Sequence, residues 1–71
     1  MDSGRKLVWT KTPMSGWTRH EAKSEDGHWG PYIVEKEDTR SFGVWWGHHE
    51  IGSASSIPEA RSMCQRHCDS L

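Results

Sequence analysis

Short runs of β-branched and aromatic residues alternate with polar positions over the first two thirds of the chain. Four runs have strand composition and fall between turn signals rich in Gly, Pro, Ser and Asp: residues 7–11, 17–23, 32–36 and 40–46. Sequential short strands joined by short turns favour an antiparallel meander. Gly47 and Gly52 flank a segment that we interpret as a connector.

The two-residue period of a strand assigns faces to the third and fourth runs. One face collects five apolar residues: Tyr32, Val34, Phe42, Val44 and Trp46. The opposite face receives Ile33, Glu35 and Trp45. The second run has no secure inner face, because Trp17 and Ala22 differ in parity.

The C-terminal segment has the pattern of an amphipathic helix of about 14 residues. Ser56 is suited to the N-cap, Glu59 completes a capping box, and Pro58 falls in the first turn, where a missing N–H does no harm. One helical face is formed by Ile57, Ala60, Cys64, His67, Cys68 and Leu71. The predicted fold class is α+β: a three- to four-stranded antiparallel meander with one C-terminal helix packed on one face. Residues 6–71 form a single β-β-β(-β)-α domain, and residues 1–5 are expected to be flexible.

Composition limits the function classes. The chain has 71 residues, 32% of them hydrophobic, and no run approaches the roughly 18 apolar residues of a membrane span. No apolar stretch near the N-terminus resembles a secretory signal. Five Trp, one Tyr and one Phe argue against disorder. Only two cysteines, four apart, indicate a reducing compartment, so we expect the cytoplasm, and the host cytoplasm if a phage encodes the chain.

Charge is nearly balanced overall but uneven along the chain. The net charge is −1, which does not favour nucleic acid. Residues 1–23 carry five basic and two acidic side chains, whereas residues 24–50 carry six acidic and two basic ones. The acidic stretch 35–38 is either a solvated surface or a patch that docks on a basic partner.

Several apolar and glycine positions together resemble a known group of proteins. The pattern consists of Gly16-Trp17, Gly30-x-Tyr32-x-Val34, Phe42-x-Val44-x-Trp46, Ile51-Gly52 and Ser56-Ile57-x-Glu59-Ala60. Over residues 7–68 it resembles small phage- and prophage-encoded orphan β-β-β-α proteins. These positions are core and turn positions, so the resemblance implies a fold. Some phage proteins of this size, the anti-CRISPR proteins, disable host defence complexes, so the resemblance also implies a non-enzymatic inhibitor that binds a host protein or protein complex.

A metal site is the sharpest alternative chemistry in the sequence. Cys64, His67 and Cys68, with His48 or His49, could supply zinc ligands. Their spacing matches no standard finger, and the cysteines also suit a small apolar helix face. We therefore expect no metal and no cofactor. We also expect no enzymatic activity, because thiols in the last turns of a helix are poorly placed to ionise and no glycine-rich phosphate loop is present.

Tryptophan supplies the candidate binding anchor. If the helix covers Trp46, then Trp45 projects from the uncovered sheet face, where we expect it to anchor a protein partner. The other candidate contacts are Trp29, Ile33, Glu35, Glu37 and Asp38. In the plainer interpretation the aromatic residues only enlarge a small core.

A nucleic-acid-binding sheet is the alternative function. The AP2-like arms of phage integrases share the strand-strand-strand-helix order and read DNA with a three-stranded sheet. The contacts would be Arg5, Lys6, Lys11, Arg19 and Lys23. A homodimer is compatible with either function, and no membrane partner is expected.

Overall fold

A single antiparallel sheet carries one helix on one face. The computed structural model describes residues 6–71. The elements are β1 (Leu7–Pro13), β2 (Thr18–Ser24), β3 (Tyr32–Asp38), β4 (Ser41–Trp46), β5 (His49–Ala54) and α1 (Ile57–Asp69), and the strands lie in the order β1-β2-β3-β4-β5. The predicted α+β meander with a C-terminal helix is confirmed, but three to four strands was too few, since residues 6–71 contribute five strands to the sheet. The expectation for residues 1–5 lies outside the described residues.

The fifth strand occupies the segment interpreted as a connector. A tight turn at Gly47 and His48 returns the chain, and β5 pairs with β4 from Trp46↔His49 to Phe42↔Ala54. Gly47 has a φ of 62°, a left-handed conformation that glycine adopts without steric cost. The register shifts at Val44/Trp45, so β5 shows no regular alternation. Pairing with β4 makes this segment a strand despite its weak sequence pattern.

The core is one layer between α1 and the sheet. Its buried residues are Leu7, Ala22, Tyr32, Val34, Val44, Ala54, Ala60, Cys64 and Cys68. The helix lies against β3, β4 and β5. In β2 the inward side chains are His20, Ala22 and Ser24, which settles the face that the sequence left open. Leu71, expected on the packed helical face, is 37% exposed because α1 ends at Asp69.

The start of α1 follows its sequence signal in part. The Ser56 hydroxyl accepts a hydrogen bond from the Glu59 amide at 3.3 Å, as an N-cap does. The Glu59 carboxylate does not close the capping box, because it accepts from the Ser55 hydroxyl at 3.0 Å. Among residues 6–71 no helix has both the length and the apolar character needed to cross a bilayer.

Candidate interaction surface

The sheet face opposite α1 carries Trp45 beside its cross-strand partner Ile33. Register places a row across all five strands on this face: Thr10, Glu21, Ile33, Trp45 and Glu50. Because the only helix in residues 6–71 packs on the other face, nothing in the described part of the chain covers this row. We call this uncovered side of the sheet the open face. Trp45 and Ile33 lie there as the sequence predicted.

The orientation of the Trp45 side chain differs from the one that the sequence predicted. Its ring was expected to project, but the residue is half-buried. A Cβ built on Gly43 would lie 3.1 Å from Trp45 Nε1 and 2.9 Å from the carboxyl carbon of Glu37. The bare backbone of Gly43 therefore lets the indole and the Glu37 side chain lie down over β4. The Trp45 ring therefore lies against the sheet and does not project from it.

A shallow depression of about 300 Å³ lies beside Trp45. Its walls are formed by Arg19, Ile33, Glu35, Trp45, Gly47 and His48. Apolar side chains line one part of it and charged groups another. A depression with this lining can receive a side chain that combines apolar and polar groups.

Arg19 ties two carboxylates together on the open face. Its Nε lies 3.7 Å from Glu21 Oε1 and 3.7 Å from Glu35 Oε2. Both contacts exceed hydrogen-bond distance, and Arg19 Nε has no hydrogen-bond partner, so these partly exposed ion pairs add little stability. Glu35 is therefore engaged by Arg19, whereas Glu37 and Asp38 are exposed near the β3–β4 turn.

Trp29 belongs to the β2–β3 loop and packs against the core. Its amide donates to the Ser24 hydroxyl at 2.9 Å, and that hydroxyl donates to Asp26 Oδ1 at 2.6 Å. The His28 ring meets the indole edge-on at 4.8 Å. This network holds Trp29 half-buried within the loop. Trp29 does not line the depression beside Trp45.

The structure does not gather the candidate nucleic-acid contacts on one face. Lys11 is the cross-strand partner of His20, which points to the helix side of the sheet. Lys23, the partner of Val8, belongs to the open face. Arg19 lines the depression on that same open face. Lys6 precedes β1, and Arg5 lies outside the described residues. Arg19 is also engaged by carboxylates, which leaves its charge less available to phosphates.

The alternative zinc set does not converge. The His67 ring faces the core, with Nδ1 2.7 Å from the Tyr32 hydroxyl, while His48 lines the depression on the open face. Within residues 6–71 no three or more His, Cys, Asp or Glu side chains form a metal-binding group. The described residues therefore do not bring the alternative ligands Cys64, His67 and Cys68 together with His48 or His49. That the protein binds no metal stays a prediction.

The buried Cys64 thiol is a poor nucleophile. Burial raises the pKa of Cys64 to about 12, so this thiol stays neutral at physiological pH. Cys68 is equally buried, and both cysteines are free of disulfide bonds. These positions fit small apolar packing residues.

Sequence reasoning missed a second cluster, on the helix side of β1 and β2. Lys11 and His20 are register partners, and the Arg61 guanidinium of α1 lies 5.1 Å from the centre of the Trp9 ring. The sequence did not assign the inner face of β2, so it gave no indication that His20 points to the helix side. Only the β1–β2 register and the position of α1 bring these residues together.

No protein-family model, curated protein sequence or solved structure matches this chain.

Proposed function

We propose that this chain is a non-enzymatic protein-binding module whose contact surface is the open face, centred on Ile33 and Trp45. The observation that carries the proposal is an uncovered sheet face on which an apolar cross-strand pair borders a depression framed by charged groups. Interface centres combine an aromatic anchor with surrounding polar groups that set orientation.

The charge of the open face specifies the chemistry of the partner. Four carboxylates belong to this face: Glu21, Glu35, Glu37 and Glu50. Arg19 and Lys23 are the opposing cations on it. The partner is accordingly a protein surface that is basic around an apolar side chain that enters the depression.

The biological class of the partner is proposed from the resemblance to small phage-encoded proteins. In this proposal the chain acts in the host cytoplasm and inhibits a host defence complex by occupying a basic surface, in the manner of an anti-CRISPR protein. Neither buried cysteine forms a disulfide, which is compatible with a reducing compartment. A neutral Cys64 thiol also favours binding over nucleophilic catalysis.

The test compares capture of a partner by the wild type and two variants. Trp45→Ala removes the centre of the surface, and Lys11→Met is the matched control on the opposite side of the sheet. Partners captured from a bacterial host lysate are purified, and affinity is measured by titration calorimetry. We expect Trp45→Ala to weaken binding by about 30-fold, equivalent to about 2 kcal/mol, and Lys11→Met to leave it within two-fold.

Three outcomes would overturn the proposal. One is a folded Trp45→Ala variant that binds as tightly as the wild type. Another is a concentration-dependent dimer in light scattering that buries the open face. The third is co-purifying nucleic acid that is lost at high salt, which would favour the sheet-on-DNA alternative.

A further inference from the structure

A group of basic side chains lies beside α1, and no ion pair within residues 6–71 engages Lys11 or Arg61. Lys11 of β1 and His20 of β2 are cross-strand partners, and Arg61 reaches over Trp9 from the helix. The ion pairs found among residues 6–71 all involve Arg19 on the opposite face, so neither Lys11 nor Arg61 has a carboxylate within bonding distance. We call Trp9, Lys11, His20 and Arg61 the cationic cluster.

Two nitrogens of this cluster are buried and unpartnered. His20 is only 7% exposed, yet its Nδ1 has no hydrogen-bond partner, and Arg61 Nε also lacks one. A buried polar atom without a partner costs free energy, on the order of 1–3 kcal/mol. Neighbouring Val34, the β3 partner of His20, offers no polar atom from its side chain. An acceptor oxygen supplied by a ligand would take a hydrogen bond from Arg61 Nε–H and, once the ring is protonated, from His20 Nδ1–H.

We propose that the cationic cluster is a binding site for a phosphate group, either free phosphate or a phosphate monoester. Lys11 and Arg61 supply two permanent positive charges, which match a dianion better than a monovalent carboxylate. Arg61 offers the forked donor geometry that phosphate oxygens favour, and stacking on Trp9 holds its plane in place. The site lies on the opposite side of the sheet from Trp45 and does not depend on the proposed protein-binding surface.

His20 reports on the site because its charge responds to the same neighbours. Burial is the main cause that lowers the pKa of His20, and the charges of Arg61 and then Lys11 add to it. A bound dianion offsets both cations. It therefore favours the imidazolium, which becomes a third donor to the phosphate.

The experiment follows the His20 imidazole by NMR in protein purified without phosphate. The pKa of His20 is measured in chloride, acetate, phosphate and glycerol phosphate at one ionic strength. We expect phosphate to raise this pKa by about one unit relative to chloride and acetate to leave it unchanged. A shift with phosphate alone would indicate the free anion, and a stronger shift with glycerol phosphate would indicate an esterified group.

Variants assign the effect to the cluster. Lys11→Met and Arg61→Gln should each weaken phosphate binding at least ten-fold, while Lys23→Met on the opposite face should change it less than two-fold. Trp45→Ala should retain phosphate binding, which separates failure of this proposal from failure of the protein-binding surface. If Arg61→Gln does not fold, Lys11→Met and the wild-type titrations still decide. The proposal is wrong if phosphate and chloride give the same His20 pKa, or if Lys23→Met weakens binding as much as Lys11→Met.

Discussion

The Tyr32 hydroxyl lies 2.7 Å from Nδ1 of His67 and so joins the central strand to the last turn of the helix. Trp46 packs against both rings, with centroids 6.4 Å from Tyr32 and 4.9 Å from His67. Burial is the main cause that raises the pKa of Tyr32, so its hydroxyl remains protonated throughout the physiological range. This contact fixes the end of α1 on the sheet.

Removing that hydrogen bond should lower stability measurably. Tyr32→Phe keeps the ring but leaves His67 Nδ1 without its partner, and we expect it to cost about 1 kcal/mol of unfolding free energy in urea titrations. A double-mutant cycle with His67→Ala isolates the coupling. Additive effects of the two substitutions would show that the hydrogen bond adds nothing to stability.

A charge at the helix–sheet contact tests the packing of α1. Ala60 is fully buried, so Ala60→Asp places a carboxylate in the apolar contact between helix and sheet, and we expect a loss of about 3 kcal/mol. Ser62→Asp, on the exposed side of the same helix, is the control and should change stability by less than about 0.5 kcal/mol. Equal melting temperatures for the two variants would contradict the packing described above.

The two adjacent tryptophans should differ in their contribution to stability. Trp46 packs against both Tyr32 and His67 on the core side, and Trp46→Ala should cost about 3–5 kcal/mol. Trp45 lies on the open face, so Trp45→Ala should cost at least about 1 kcal/mol less. Thermal melts of both variants provide the comparison. Similar losses would mean that both rings serve the core.

Gly43 controls the posture of Trp45. Gly43→Ala would bring a methyl group within 3.1 Å of Trp45 Nε1 and 2.9 Å of the Glu37 carboxyl carbon, so both side chains must shift. We expect the Trp45 indole N–H signal to move in a ¹⁵N-¹H spectrum, with the other four indole signals unchanged. Ser53→Ala, at the cross-strand partner of Gly43, is the control. An unmoved Trp45 signal in Gly43→Ala would refute the close approach.

Stability should fall as the pH drops below about 6.5 because of His20. Its folded-state pKa lies below the ordinary value of 6.5, so the unfolded chain binds the proton more readily and acid favours unfolding. This contribution is complete above about pH 6.5 and is lost as the pH falls towards the folded-state pKa. His20→Gln should flatten the dependence of unfolding free energy on pH just below 6.5. An unchanged slope in His20→Gln would place the effect on another group.

Asp26 titrates in a more acidic range and does not contribute to the pH dependence assigned to His20. Hydrogen bonds from the Ser24 hydroxyl and then from the His28 amide hold the pKa of Asp26 below its ordinary value of 3.8. Its contribution is therefore lost only at more acidic pH than that of His20.

The sequence by itself determined the elements whose residues carry strong local signals. The alternation in residues 32–36 placed Tyr32 and Val34 inward, and the Ser56 cap with its apolar face predicted α1 and the burial of Ala60 and Cys64. Local patterns of this kind arise because each strand or helix must bury one face, whatever lies beyond it.

Only the tertiary structure decided what depends on pairing between distant segments. β5 is a strand because β4 lies beside it, and the inner face of β2 follows from its register with β1 and β3. The orientation of the Trp45 side chain depends on the absence of a side chain at Gly43. The cationic cluster forms only because α1 brings Arg61, 41 residues after His20 in the chain, to the same side of the sheet. Such contacts are set by packing in three dimensions, which no local periodicity encodes.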